Sequence, residues 1–191
     1  MIRMPERLQE LMDELKDANA ETFYHSLHVK AHVMKILKKM KIDNKVSYTQ
    51  SETEAILKGA LLHDIGKLFV KNVILTKDSR LTEKERETMT AHPRLGFEAV
   101  EPSLTKEEYD IVKNICLYHH ERIDGMGYEG KSDLPMYVQI VSLCDVYDAL
   151  TTDRVYRDAL SPEKAINLIR DGECGNFNPE IVEYLWEIVE Y

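Results

Sequence analysis

Cysteine is scarce in this chain of 191 residues: only Cys116, Cys144 and Cys174 occur, an odd number at wide spacings. Such usage excludes a disulfide framework and a cysteine-based zinc site, and it predicts a protein of the reducing cytoplasm. Long apolar runs are missing as well, since none approaches the roughly 20 residues that a membrane-spanning helix needs. The N-terminal stretch MIRMPERLQELMDELK is charged from its start, so no signal peptide and no membrane association are expected.

Positive charge is also in short supply, with 25 Lys and Arg residues against 34 Asp and Glu and a formal net charge of −9. That balance disfavours binding to a nucleic-acid polymer, which requires a basic surface. A small anionic substrate would need positive charge concentrated locally, from metal ions or arginines. Internal repeats, low-complexity tracts and linkers are absent, and the length suits one domain, so we expect residues 1–191 to form a single domain.

Helical periodicity is what the chain has in abundance. Apolar residues recur at helical spacing in segment 1–19 and in a second segment from about 20 to 40. Capping-box pairs and helix-starting prolines mark further helices, including segments 135–151, 162–171 and 179–190. The only strand-like run, NVILT, is too short to carry a sheet, so the sequence predicts an all-α fold. The pairs are Ser51 with Glu54, Thr82 with Glu85 and Thr105 with Glu108, and the prolines are Pro162 and Pro179.

Histidines stand out against this helical background, because five of the seven combine with three carboxylates, most of them near predicted helix ends. Glu21 and His25 stand four residues apart, so they share one helix face and could chelate one ion. Gly66 follows a His-Asp pair, where it can end a helix. Imidazole and carboxylate without thiolate suit six-coordinate iron or manganese, with other divalent ions as alternatives. An aspartate such as Asp64 can bridge two ions, and the water or hydroxide between them becomes a nucleophile at neutral pH.

Several motifs resemble those of a known family. The segment LLHDIGK, residues 61–67, resembles the signature of the HD superfamily of metal-dependent phosphohydrolases. Four later blocks follow in order and resemble its HD-GYP subfamily: ILTKDSRLTEKERETMTAHPRLG, HHERIDGMGYEG, SLCDVYDALTTDRVYRDALSPEKAINLI and FNPEIVEYL. The resemblance covers about residues 20–188, leaving 1–19 as an N-terminal helix. It implies a compact helical HD-type domain with a metal site between the helices.

The resemblance also implies which residues hold metal. It assigns seven ligands, with Asp64 as the bridge, and it matches Glu21 to a glutamate that some members use for a third ion. The implied cofactors are two or three divalent ions, iron or manganese. His28 and His32 are not among the family's ligands, and we expect them to be structural or surface residues. The seven implied ligands are His25, His63, Asp64, His92, His119, His120 and Asp145.

The implied substrate is a cyclic dinucleotide, chiefly cyclic di-GMP, opened by a metal-bridging hydroxide to the linear dinucleotide and in some members to GMP. Lys67 and Asp64 are the implied catalytic residues. Arginines suit substrate phosphates because their planar guanidinium donates two parallel hydrogen bonds. Glycine and tyrosine in the loop after the paired histidines suit the rim of the site. The residues expected to bind substrate are Lys67, Gly125, Gly127, Tyr128, Arg154 and Arg157.

Two other functions stay open from the sequence: hydrolysis of another nucleotide or cyclic dinucleotide, and binding of a dinucleotide or protein partner without turnover. Glu129 stands where the family usually has proline, which predicts substrate binding weakened by about tenfold and a lower KM in Glu129→Pro. Family members often carry a sensor domain ahead of this one. Here about 20 residues precede the ligands, so we expect control by a separate regulatory protein, a homo-oligomer or ligand supply.

Overall fold

The computed structural model describes residues 4–153 and 158–190, and helices joined by loops make up these ranges. No β-strand forms in the part of the chain described, where an isolated bridge joins Glu173 and Gly175. The all-α prediction is confirmed. Among the helices described, none is both long and apolar enough to cross a membrane. The α-helices are α1 (Glu6–Ala18), α2 (Ala20–Ile42), α3 (Gln50–Leu62), α4 (Asn72–Leu75), α5 (Glu83–Thr90), α6 (His92–Val100), α7 (Lys106–Tyr118), α8 (Met136–Thr151), α9 (Pro162–Arg170) and α10 (Pro179–Val189).

Side-chain caps fix most helix starts where the sequence predicts them. The capping boxes of α5 and α7 form as expected, and Ser161 and Asn178 cap the two helices that begin with proline. The box of α3 lies two residues earlier than predicted, because Thr49 pairs with Glu52. The sequence TQSETE contains two overlapping capping-box patterns, and only the first coincides with the start of the helix. The strand-like NVILT run is also helical, as α4.

Two apolar clusters form the core, and α3 and α7 contribute to both. The first cluster joins α2, α8, α9 and α10 to one side of these two helices. The second packs α1 and α6 against their C-terminal halves, with Leu62 and Cys116 fully buried. The two helices cross closely at Gly59, where a Cβ atom would lie 2.6 Å from Cδ1 of Ile115. The C-terminal ends of α3 and α7 therefore lie at the boundary between the two clusters.

Gly66 brings the segment after α3 against the start of α6. A Cβ atom on Gly66 would lie 1.9 Å from the carbonyl oxygen of His92, and one on Gly96 would lie 2.9 Å from the nitrogen of Gly66. The prediction that Gly66 ends a helix is wrong, since α3 ends at Leu62 and Gly66 lies inside a 3₁₀ helix, Ile65–Phe69, without a positive φ. Its lack of a side chain permits backbone-to-backbone packing instead.

Candidate metal centre

Three helix ends and two helix faces converge on one largely buried site. The segment after α3, the start of α6 and the end of α7 meet α2 and α8 there. Seven of the eight predicted ligands lie in two adjoining groups, and the ligand atoms of each group lie within 4.8 Å of one another. One group is Asp64, His92, His119 and His120, and the other is His25, His63 and Asp145.

The two oxygens of Asp64 face different groups. Its Oδ1 lies 3.1 Å from Nε2 of His92 and 3.7 Å from Nε2 of His119. Its Oδ2 lies 3.5 Å from Nε2 of His63 and 3.8 Å from Nε2 of His25. A carboxylate that turns one oxygen to each group can hold two ions side by side, which is the bridging geometry predicted for this residue.

Backbone and carboxylate acceptors fix the orientation of four imidazoles. Nδ1 of His63 lies 2.8 Å from the Ala60 carbonyl, Nδ1 of His92 lies 2.7 Å from that of Met89, and Nδ1 of His119 lies 2.9 Å from that of Cys116. A carbonyl oxygen only accepts, so these Nδ1 atoms carry the proton. In the neutral rings Nε2 then presents its lone pair to the centre, as in protein metal sites. Nδ1 of His25 meets a carboxylate, that of Asp148, at 2.6 Å.

Buried polar atoms without partners show that this donor set fits a cation. Nε2 of His63 and Oδ1 of Asp64 are buried and have no hydrogen-bond partner among the described residues. Nε2 of His92 approaches the same Oδ1 at 3.1 Å, and when Nδ1 of this neutral ring holds the proton, two lone pairs face each other. Such contacts are unfavourable between acceptors, and a divalent ion ligated by both groups removes the conflict.

Burial and neighbouring charges set the protonation states at the centre. Burial lowers the pKa of His63 to about 4. Burial raises the pKa of Asp64, but Lys67 and His63 outweigh it and hold that pKa well below its usual value. Burial also lowers the pKa of His25, but its bonds to Asp145 and Asp148 raise it to about 9. The centre therefore combines an ionised Asp64 and a neutral His63 with a protonated His25, and a cation on His25 must displace that proton.

Comparison with known proteins identifies the family. The family model described as the HD domain matches residues 22–150. A solved structure, Bd1817, a HDG"Y"P protein from Bdellovibrio bacteriovorus, has a TM-score of 0.68 over 87% of this chain and 52% of that chain, at 20% identity. The chain belongs to the HD-domain family. HD domains bind divalent metal ions, and the two ligand groups suit that role.

Two curated relatives of this HD-domain chain come from Vibrio cholerae serotype O1. A cyclic di-GMP phosphodiesterase is 38% identical over 74% of the chain and 30% of the relative. A 3'3'-cGAMP-specific phosphodiesterase 2 is 29% identical over 93% of the chain and 36% of the relative. The chain thus spans about a third of the length of these relatives.

Asp148 is a site residue that the sequence analysis missed. It is buried on α8, where Oδ2 lies 2.6 Å from Nδ1 of His25 and Oδ1 lies 3.2 Å from Nδ1 of His28. Its position three residues after Asp145 places both on one helix face, the same spacing rule that paired Glu21 with His25. Asp148 orients His25 and raises the electron density on its Nε2.

We expect Asp148→Asn to weaken metal affinity by roughly 10- to 100-fold, the range for groups that orient a ligand. Competition against a fluorescent chelator measures this. His28→Ala is the matched control, because that side chain contacts the other oxygen of Asp148 but is 52% exposed. A loss of metal affinity in His28→Ala as large as in Asp148→Asn would contradict this assignment.

Glu21 and Lys67 lie at the same side of the candidate metal centre. Nζ of Lys67 lies 2.5 Å from Oδ2 of Asp64, so it places positive charge beside the bridging oxygen. Glu21 is exposed and belongs to neither ligand group in the described ranges, so the predicted third ion stays a prediction. Both residues line a cavity that also contacts His25 and Asp148. Arg154 and Arg157 lie outside the described residues.

The glycine loop is anchored by Glu121, a second residue that the sequence analysis missed. The Glu121 side chain is buried, and its two oxygens accept the backbone N–H groups of Glu129 at 2.8 Å and Lys131 at 2.7 Å. Gly127 packs against it, since a Cβ atom there would lie 2.5 Å from Cα of Glu121. Gly125 adopts the left-handed conformation, with φ 74°. Gly125 and Gly127 therefore shape the loop itself, in addition to their predicted role at the rim of the site.

Tyr128 lies at the rim, next to the metal ligands. Its ring stacks on the imidazole of His120, with centroids 4.4 Å apart and planes inclined by 29°. The sequence predicts that this tyrosine binds substrate. His120 covers one face of the ring, and the side chain is 45% exposed, so only the other face can contact a base.

The anchoring of the loop reverses the expected effect of Glu129→Pro. Proline has no N–H, so the variant loses the bond to Glu121 and leaves a buried carboxylate oxygen without that donor, at a cost of about 1.5–3 kcal/mol. A stiffer loop offsets only about 0.4–1 kcal/mol of that cost, and the loss of the Glu129 charge affects substrate binding, by about 1 kcal/mol, and not the fold. We therefore expect Glu129→Pro to lower the melting temperature and to leave KM unchanged or higher.

Glu129→Ala is the matched control for the proline variant, because it keeps the N–H group and removes the charge. It should lower KM for an anionic dinucleotide by up to about fivefold, in line with roughly 1 kcal/mol of repulsion. If KM fell more with proline than with alanine, loss of the N–H group at position 129 would not harm substrate binding. That result would contradict the anchoring role of Glu121.

Proposed function

We propose that this HD-GYP chain is a metal-dependent phosphodiesterase that hydrolyses cyclic di-GMP to the linear dinucleotide. The observation that carries the proposal is the pair of adjoining ligand groups, with one oxygen of Asp64 turned toward each of them. Iron and manganese are the proposed ions, because the donors are imidazole and carboxylate without thiolate. The curated relative at 38% identity supports cyclic di-GMP as the substrate.

Two divalent ions held by the two ligand groups would neutralise the phosphodiester and lower the pKa of a coordinated water to about 7. The chain's own residues determine where this chemistry would occur. Asp64 turns one oxygen to each ligand group, so it would serve both ions. Lys67 adds a positive charge beside Oδ2 of Asp64 and can pair with a non-bridging phosphate oxygen. The nearly complete burial of His63, His92 and His119 excludes bulk water from beneath the site.

A turnover assay tests the proposal directly. Protein reconstituted anaerobically with ferrous iron or manganese is incubated with cyclic di-GMP, and the products are separated by chromatography. The linear dinucleotide should appear with metal-loaded protein and not after chelation. Elemental analysis of the same sample should find at least two ions per chain. Fewer than one ion per chain, or no hydrolysis with either metal, would overturn the proposal.

Cyclic GMP-AMP is the second candidate substrate. The 29% identity to a 3'3'-cGAMP-specific phosphodiesterase, over 93% of this chain, favours it. The two substrates share their phosphodiester chemistry and differ in one base, so the metal centre treats them alike. Competition between them in one reaction gives the ratio of their kcat/KM values, and that ratio decides between the two.

A protein that binds the dinucleotide without turnover is the third candidate. It would give saturable binding in calorimetry and no product in the turnover assay. The loop that carries Glu129 in place of proline is the feature that favours this candidate. The two bonds from Glu121 hold that loop in place without a proline, so the substitution does not by itself argue for loss of hydrolysis.

We propose that Arg154 and Arg157 bind the phosphates of the substrate. The proposal comes from their match to family arginines and from their position beyond α8, which carries Asp145. Replacing either with alanine should leave metal content unchanged and weaken dinucleotide binding by about 1.5–3 kcal/mol, the range for hydrogen bonds to charged groups. Calorimetric titration measures this, and unchanged affinity in both variants would remove them from the site.

The proposed location is the cytoplasm, since Cys116 and Cys144 are buried free thiols. Control by a separate regulatory protein or by self-association remains a prediction. Light scattering of the purified chain, with and without cyclic di-GMP, tests self-association.

A further inference from the structure

A polar cleft lies beside the metal centre, between the start of α2 and the segment that carries α4 and α5. Its volume is about 330 Å³, which lies within the range of small-molecule sites. The residues of this cleft that matter here are Glu21, Lys67, Asn72, Leu75, Thr76 and Met89.

The cleft adjoins the metal centre. A smaller cavity of about 30 Å³ contacts His25 and Asp148, and it shares Glu21, Thr22 and Lys67 with the cleft. Lys67 also lies 2.5 Å from Asp64. Lys67 therefore lines the cleft and contacts the centre at the same time.

The lining suits a purine base. The Asn72 amide both donates and accepts hydrogen bonds, and the Glu21 carboxylate only accepts. Leu75 and Met89 offer apolar contact to a flat ring. Guanine presents acceptors at O6 and N7 and a donor at its 2-amino group, which adenine lacks. Adenine also presents an amino donor at N6 and an acceptor at N7, so a cleft lined by a carboxylate and an amide suits either purine.

On the other side of the metal centre, the rim carries an aromatic side chain instead of a polar cleft. Tyr128 stacks there on His120, a member of the ligand group that does not contain His25. A cyclic dinucleotide has two bases joined by two phosphodiesters, so a substrate with one phosphodiester on the ions extends in both directions. One base then faces the tyrosine rim and the other faces the cleft.

We propose that the polar cleft is the binding site for one purine base of the cyclic dinucleotide whose phosphodiester lies at the metal centre. This inference rests on the proposed function. It assigns Asn72, on α4, as a base-binding residue and uses Glu21 as a base contact in place of a third-ion ligand.

Asn72→Leu tests the assignment, because it keeps the approximate size of the side chain and removes both of its hydrogen-bonding functions. KM for cyclic di-GMP should rise roughly tenfold, the equivalent of one or two hydrogen bonds, with metal content unchanged. Turnover of bis(p-nitrophenyl) phosphate, a phosphodiester without a base, should stay at the wild-type rate. Asn167→Leu is the matched control, since that asparagine is exposed on α9 and does not line the cleft.

The outcomes separate this inference from the function on which it rests. If wild type opens cyclic di-GMP and Asn72→Leu does so with unchanged KM, the cleft does not hold a base. If wild type hydrolyses bis(p-nitrophenyl) phosphate but no cyclic dinucleotide, the proposed function itself fails, and the base site fails with it. Asn72→Asp keeps the side-chain shape and removes the amide donors, and it replaces the leucine variant if that variant does not fold in a thermal melt.

Discussion

Asp64→Asn should abolish the binding of two ions and reduce phosphodiester hydrolysis by at least about a thousandfold. Asparagine keeps the shape of aspartate but loses its charge and one of its two acceptor oxygens, so it cannot serve both ligand groups. The electrostatic contribution of bound metal to the transition state amounts to several kcal/mol, and about 4 kcal/mol corresponds to three powers of ten in rate.

Elemental analysis and the turnover of bis(p-nitrophenyl) phosphate measure the two effects of Asp64→Asn separately. Asp110→Asn is the control, because it makes the same chemical change at an exposed position on α7. Two ions retained at wild-type affinity in Asp64→Asn would show that this carboxylate does not bridge. Metal loss without loss of hydrolysis would place the chemistry elsewhere in the chain.

Gly66→Ala should have the second largest effect, on stability as well as on metal binding. The added methyl group would occupy space 1.9 Å from the carbonyl oxygen of His92, which belongs to the backbone and cannot rotate away. Forcing atoms into well-packed regions costs about 1–3 kcal/mol and occasionally more. Because the displaced residue carries a ligand, we expect a loss of about 3 kcal/mol in the free energy of unfolding, together with weaker metal binding.

Urea denaturation of the metal-free proteins measures the stability loss. Gly96→Ala provides a graded comparison from the opposite side of the same contact, where the added atom would lie 2.9 Å from the nitrogen of Gly66. Its effect should have the same sign and be smaller. Equal unfolding midpoints for Gly66→Ala and wild type would show that the two segments separate easily.

Much of the metal centre could be predicted because its signals are local. His63 with Asp64 and His119 with His120 follow apolar helices directly, so sequence order alone places them at helix ends. Their convergence follows from the resemblance to a family and not from the helix pattern. The register of the α3 cap shows the limit of local signals, since two overlapping patterns in six residues are equally good until the rest of the helix packs.

The missed residues depend on contacts that are distant in sequence. Asp148 matters because α8 packs on α2, which brings it to a histidine 123 positions earlier. Glu121 matters because the chain folds back on it eight and ten residues later. An aspartate or a glutamate at such positions is indistinguishable from a surface acid until the backbone path is known. The role of Gly66 was misread for the same reason, because its neighbour across the contact is on α6.

The way Glu121 holds the glycine loop has an evolutionary consequence. The carboxylate contacts main-chain N–H groups, which every amino acid except proline supplies, and both side chains on the anchored residues are exposed. Neutral drift can therefore change the amino acids at positions 129 and 131 without loosening the rim, whereas purifying selection should act on Glu121 and Gly127. A lineage with proline at 129 forgoes one of these two bonds. In this chain Glu121 is therefore a better marker of an anchored rim than the residue at position 129.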